Sequence, residues 1–387
     1  MKKTLAAVAV LGAFAGSALA ADVQLYGVID TGVRYLSSDM DINAAGQGVD
    51  SVDKFSMESG MQSGSRFGFK GTEDLGNGLT VGFILENQFS GDDGALKDGL
   101  LFRREATLFL QGGFGKLALG RMGSINGGTS SWGKHGVMSA FGTSWGSYAA
   151  QADTVFGGSG LWDNTIAYET PDFAGFKVFA QYGMGNAVEE NNSVENESTS
   201  DRYYAIGASY ANGPLNLYLA VDSINYATAG KAISNGSDID DAWTVRLGGN
   251  YDFEVVKLFA GAAYFDEAKL STFAGAGTDW AKSYASASMK IKGWSLGVSA
   301  AIPAAGGSVL VGASYMDAEA ADSQDSSAYK DAEVSRWIVS AGYDYPLSKR
   351  TNVYGVVTYN QDSMDKIGAK DADPTVWGVM LGMRHKF

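Results

Sequence analysis

Apolar and polar residues alternate along most of this chain. Between residues 23 and 35, Leu25, Ile29 and Val33 fall on one side of an extended chain. Gln24, Tyr26, Asp30 and Arg34 fall on the other. Residues 79–89 repeat the pattern, with Leu79, Val81, Phe83, Leu85 and Phe89 opposite Thr80, Glu86 and Gln88. The chain ends the same way. Trp377, Val379, Leu381, Met383, His385 and Phe387 alternate with Gly378, Met380, Gly382, Arg384 and Lys386. A period of two over such lengths predicts strands with one apolar face and one wet face. Asp30, Arg34, Lys70 and Glu86 belong to the wet face. An arginine at mid-membrane on a lipid face would cost roughly 2–4 kcal/mol, so charges on one side only imply lipid outside and water within. A wet interior requires a wide barrel, since about eight strands enclose little more than their own side chains.

The connections between alternating segments are of two kinds. Residues 74–78, 112–115, 171–175, 212–214, 303–307 and 346–349 are short and rich in turn formers. Residues 37–61, 91–101, 122–160, 186–201, 227–240, 267–280, 317–334 and 361–374 are long and polar. Short and long connections alternate, as when tight turns face the periplasm and long loops face outward. Seventeen candidate strands emerge, and a barrel whose two ends meet on one side needs an even number. Residues 281–302 read either as one strand or as a hairpin around 291–293. The first reading predicts an all-β, antiparallel transmembrane barrel of 16 strands; 18 is the alternative.

Composition supports a membrane barrel over a soluble protein. The 387 residues include 52 Gly, 19 Tyr, 19 Phe and 8 Trp, with 5 Pro and no Cys. Without cysteine, hydrogen bonding and burial must hold the fold. Lys2 and Lys3, the apolar stretch 5–14 and the small residues Ser17, Ala18 and Ala20 read as an export signal over 1–20, with the barrel over 21–387. No stretch approaches the ~20 uninterrupted apolar residues of a transmembrane helix. Removing Lys2 and Lys3 takes the formal charge from −14 to −16, which disfavours nucleic acid as a partner.

Several motifs are similar, in order, to the general porins of Gram-negative bacteria, in particular their neisserial and betaproteobacterial branch. They are LYGVID at 25–30, GSRFGFKGTEDLGNGL at 64–79, FGKLALGR at 114–121, Asp163-Asn164, YDYPLSKRT at 343–351 and the terminal MRHKF at 383–387. The resemblance implies a 16-stranded homotrimeric diffusion pore whose long third external loop, residues 122–161, folds inward to narrow the channel. It places the family's wall arginines on Arg66 and Arg104, opposite acidic residues of that loop, so that a transverse field orients polar solutes. A third arginine common in relatives is Leu161 here, and Asp153 is the loop's sole carboxylate. Lys134 and His135 are its possible cations. The implied constriction is Arg66, Arg104, Asp153 and Lys134, and the expected pore is weakly selective, mildly anion-preferring at its narrowest point. The terminal pattern with Trp377 and Phe387 resembles the signal read by the barrel-assembly machinery, a transient partner. Outer-membrane lipid and lipopolysaccharide would surround the barrel, and small hydrophilic solutes and ions would pass.

Other features have plainer readings. Tyr35, Phe89, Phe109, Phe173 and Phe179, near strand ends, suggest interfacial girdles. The acidic stretches 186–201 and 317–334 read as solvated surface, with divalent bridging to lipopolysaccharide as the alternative. Asp39-x-Asp41-x-Asn43 starts like a calcium loop, but lacks its glycine and closing glutamate, so no metal or other cofactor is expected. With two histidines and no cysteine, an enzyme is not expected; Ser130, Ser131 and His135 have no orienting carboxylate nearby in sequence. A substrate-specific channel and an adhesive or structural barrel are the alternative functions.

Overall fold

The computed structural model describes residues 23–40, 51–146, 148–185, 194–227, 240–273, 289–324, 329–366 and 371–387. Among them are seventeen strand segments. The first eight are β1 (Gln24–Asp39), β2 (Val52–Ser59), β3 (Arg66–Gly76), β4 (Leu79–Glu86), β5 (Glu105–Gly112), β6 (Gly115–Gly123), β7 (Leu161–Glu169) and β8 (Phe176–Gly183). The next four are β9 (Arg202–Asn212), β10 (Leu215–Asn225), β11 (Ala242–Asp252) and β12 (Lys257–Lys269). The last five are β13 (Lys290–Ala304), β14 (Gly307–Ala320), β15 (Glu333–Pro346), β16 (Thr351–Asp365) and β17 (Thr375–Lys386).

Apart from β2 and β3, which both pair with β1, each strand pairs antiparallel with the next, and β17 pairs with β1 from Val28↔Lys386 to Asp39↔Thr375, closing the ring. Closure joins the first and last staves of the sheet, the condition for spanning hydrocarbon with strands. β2 and β3 both lie along β1, at Thr31–Ser38 and Gln24–Val28 respectively, so they are two halves of one stave. The barrel therefore has 16 staves. The seventeenth segment comes from this break and not from 281–302, where β13 is one strand and 274–288 lie outside the described residues.

The break is built. Gly60, at φ +74°, turns the chain inward. The Asp30 carboxylate then accepts from the amides of Gln62 (2.8 Å) and Ser63 (2.6 Å), and from the Tyr354 hydroxyl (2.5 Å). Residues 52–59, expected to be loop, are strand because Val52–Ser59 pairs with β1. A tight turn between β11 and β12, closed by the Phe253 amide on the Val256 carbonyl, was also absent from the expected set.

The predicted facing holds. Leu25, Ile29, Leu108, Leu119, Ile206, Leu247, Val298, Val339 and Leu381 are exposed around the outside, while Asp30, Glu86, Arg246 and Arg336 are buried inside. So large an exposed apolar band has no place in water and marks a lipid contact. Trp and Tyr pair across neighbouring strands on this outer face, as Tyr35–Trp377, Trp243–Tyr264, Trp294–Tyr315 and Trp337–Tyr359. Two of the expected girdle residues are misplaced. Phe109 and Phe179 are buried inside, under Lys116 and Lys134 respectively. Phe109 alternates with exposed Leu108, and Phe179 lies two residues from buried Gln181, so strand parity turns both rings inward.

Candidate functional site: the lumen and its third loop

At Gly123 the chain leaves the wall and returns only at Leu161. The neck is closed by the Ser124 amide on the Gly160 carbonyl (3.0 Å). Between them the chain packs on the inward face of the far wall. Ser299 and Ser340 accept from the amides of Ala140 and Ala150, each at 2.9 Å. Thr358 donates to the Tyr148 carbonyl (2.7 Å), Asn250 to that of Val137 (2.8 Å) and Tyr218 to that of Ile125 (2.9 Å). The amides of Trp145 and Gly146 both donate to the Met61 carbonyl in the inward break. The loop's Ile125, Met138, Phe141, Trp145, Val155 and Phe156 are buried, each worth about 1.5–3 kcal/mol in area removed from water.

Glycines make room for them. Gly248, Gly261 and Gly297 are register partners across β11, β12 and β13, forming one row. A Cβ on Gly261 would lie 2.7 Å from the Phe156 ring, and one on Gly297 would lie 3.0 Å from Val155. Helix α1 (Ala152–Phe156) rests on this row. Its last carbonyl, on Phe156, accepts from Nε of Arg246 (2.9 Å), and Nη1 of the same guanidinium is 3.1 Å from Asp222 Oδ1. A second buried pair, Arg336 forked onto Asp362 at 2.7 Å and 2.7 Å, also holds the Phe273 carbonyl (3.0 Å). Removing one member of such a pair leaves a buried charge and costs about 3–5 kcal/mol. These anchors were missed by sequence reasoning. Their signal was parity: Arg246 alternates with the lipid-facing Val245 and Leu247.

On the near wall, Arg66 and Arg104 share one carboxylate. Arg104 Nε lies 2.5 Å from Glu86 Oε1, and Arg66 Nε 3.5 Å from Glu86 Oε2. Tyr26 donates to Glu86 (3.0 Å), and the Lys70 ammonium sits 5.3 Å from the Tyr26 ring centre. Two guanidiniums against one carboxylate leave one net positive charge facing the lumen. Arg34 is paired with Glu58 at 2.6 Å, toward the outer end of β1. Asp30 binds backbone amides and Tyr354, and among the described residues it makes no direct ion pair with a wall arginine.

The loop's own charges part company. With β2 and β3 counted as one stave, β4 is the third and β12 the eleventh, so β12 lies across the lumen from Glu86. Asp153, on α1, sits on that far side and is bonded to His135 Nε2 at 2.5 Å. The orienting carboxylate that sequence reasoning could not find for His135 is therefore Asp153, from 18 positions on. Neither serine joins the pair: Ser131 bonds Glu105, and Ser130 accepts from backbone amides. Lys134 does not stand with Arg66 and Arg104. Its ammonium is 3.8 Å from Glu169 and 5.1 Å from the Phe179 ring centre, against β7 and β8. Burial pushes it below the usual lysine range, and Glu169 works against that.

Among the described residues, no group of three or more His, Cys, Asp or Glu side chains is placed to hold a metal ion. Of the calcium-like triplet, Asp41 and Asn43 lie outside the described residues, as do 186–193 and 325–328 of the acidic stretches.

The model of the Gram-negative porin family matches residues 6–365. The chain is 35% identical to an outer membrane porin protein of Bordetella pertussis, with all of both chains covered. It is 30% identical to outer membrane porin protein 32 of Delftia acidovorans, again over the whole of both. Among solved structures, the anion-selective porin from Comamonas acidovorans superposes with a TM-score of 0.66 at 26% identity, covering 95% of this chain and 100% of that one. These relatives are channels of the outer membrane, and the closed 16-stave barrel with its charged, wet interior is what such a channel requires. The chain belongs to the Gram-negative porin family, and it is an outer-membrane pore for passive diffusion of small hydrophilic solutes and ions.

Proposed function

We propose that this porin is weakly selective and mildly anion-preferring, with its charge filter formed between Arg66 and Arg104 on one wall and the loop bearing Asp153 on the other. The observation that carries this reading is the shared carboxylate: Glu86 neutralises one of two guanidiniums and leaves the other's charge to the lumen. Asp153, across the lumen and partnered by His135, supplies the opposing end of a transverse field. Lys134 adds positive potential from the loop's first limb, and Arg34 acts in the outer vestibule. The relative from Comamonas acidovorans is an anion-selective porin, which agrees in sign.

The functional unit is a homotrimer, exported with cleavage after Ala20, set in lipid and lipopolysaccharide, and assembled with Trp377 and Phe387 as the signal to the assembly machinery. No catalytic step is assigned to it. The test is single-channel recording with zero-current potentials under a salt gradient, on the wild type and on Arg66→Ser/Arg104→Ser. Large ohmic steps in threes, with anion preference falling in the double variant, are expected. Unchanged selectivity would move the filter elsewhere; folded barrels without conductance would favour an adhesive or structural role.

A further inference from the structure

We infer that Arg384, in the terminal strand, is a third cationic rung of the selectivity filter. This rests on the filter reading above. The strand order around the near wall is β17, β1, β3, β4, β5. Cations and carboxylates alternate along it: Arg384 on β17, Asp30 on β1, Arg66 on β3, Glu86 on β4, and Arg104 immediately before β5. Register places them on neighbouring strands, staggered by two residues from Arg384 to Arg66 and by two more from Arg66 to Glu86. Asp30 is the partner of Arg384, Val28 two residues below is the partner of Arg66, and Glu86 is the partner of both Gly68 and Glu105.

Arg384 points inward, because its neighbours Met383 and Leu381 are exposed to lipid. The next inward positions above it, Gly382 and Met380, lie against Tyr354 and the loop tip at Gly146. Arg384 is thus the first inward side chain below the loop tip on this strand, and it is only half-buried.

The carboxylate that alternation would assign to it is occupied. Asp30 turns to the Gln62 and Ser63 amides and the Tyr354 hydroxyl. Arg384 Nε instead donates to the neutral Asn352 Oδ1 at 3.0 Å. Asp344, beyond Asn352, accepts from Asn352 Nδ2 (2.6 Å) and Gln62 Nε2 (2.8 Å). Among the described residues, no carboxylate lies within ion-pairing distance of Arg384. Asp30 attracts it only through space, without an ion pair, so most of its charge is left to the lumen, as is the half that Glu86 does not take up from Arg66 and Arg104. A passing anion therefore meets Arg384 on the same wall as those two, and a passing cation is repelled there.

The test is the zero-current potential of Arg384→Gln, Arg384→Lys and Arg66→Gln beside the wild type. Arg384→Gln keeps a donor for Asn352 and should lower the anion-to-cation permeability ratio about twofold, the scale of one screened unit charge a few ångströms from the path. Arg384→Lys should keep the wild-type ratio. Arg384 lies within the terminal strand, and the Gln variant could fail to fold; Arg384→His then makes the comparison within one folded protein. Its anion preference should fall as pH rises through about 6.5, relative to the wild type over the same range. A loss in Arg66→Gln with no change in Arg384→Gln, or with no added pH dependence in Arg384→His, would overturn the Arg384 assignment and leave the filter reading standing. No change in any of them would overturn both.

Discussion

At the scale of single residues, the lumen shows how position changes what a charge does. Arg246 and Arg336 are the same residue type as Arg66, yet each is buried against its own aspartate and serves to hold a loop carbonyl. Arg66 and Arg104 share Glu86, so their charge is only half cancelled. Glu86→Gln should therefore make the pore more anion-preferring, raising the anion-to-cation permeability ratio roughly twofold by removing the one carboxylate between two cations. Zero-current potentials read this directly, and a ratio that fell would mean that Glu86 chiefly aligns the two guanidiniums. Arg66, Glu86 and Asp30 were legible in the sequence because each lies on the polar side of a local alternation, whereas Arg104 was placed by the family resemblance alone. The partner of Asp30 was not legible, since Asp30 meets Tyr354 across more than 300 positions.

At the scale of elements, the third loop is positioned by the wall behind it. Its length marked it in the sequence, but its seat is the glycine row of β11, β12 and β13. Gly261→Val should collide with Phe156, push α1 toward the lumen and lower single-channel conductance, at a stability cost of about 1–3 kcal/mol from overpacking. Conductance histograms and thermal unfolding of the same preparation would check it; unchanged conductance with lowered stability would mean that the wall yields instead of the loop. The row was hidden because its members sit at 248, 261 and 297, and only strand register makes them neighbours. Phe109 and Phe179 show the opposite error. Nearness to strand ends suggested a girdle, whereas parity governs facing, and parity turned them onto the lumen side beneath lysines.

At the scale of the whole molecule, the last residue closes the ring. The Phe387 amide donates to the Gly27 carbonyl (3.1 Å) and its carbonyl accepts from the Gly27 amide (3.0 Å). Its ring lies where a Cβ on residue 27 would stand. Deleting Phe387 removes two seam hydrogen bonds, each worth about 0.5–1.5 kcal/mol, and uncovers Gly27. The amount of heat-resistant folded barrel on unheated gels should fall, and normal yield from the truncated chain would count against both the seam and the proposed assembly-signal roles. A seam variant that preserves the hydrogen bonds, Phe387→Ala, should separate the two: a loss of assembly with intact stability of what does fold points to the signal.

By itself the sequence determined the class of object. Period-two alternation says which side of the clearly patterned strands meets lipid, and the ordering of short and long connections says which end faces out. Both are local properties, carried by neighbours a few residues apart. The strand count was within reach, but the inward break at 60–65 was not, since Asp30, Tyr354 and the loop tip hold it from distant parts of the chain. The tertiary structure alone decided which charges remain free in the lumen and which are spent on anchoring loops. That distinction depends on distances between strands far apart in sequence, and a closed barrel sets those distances only when the register of all 16 staves is in place.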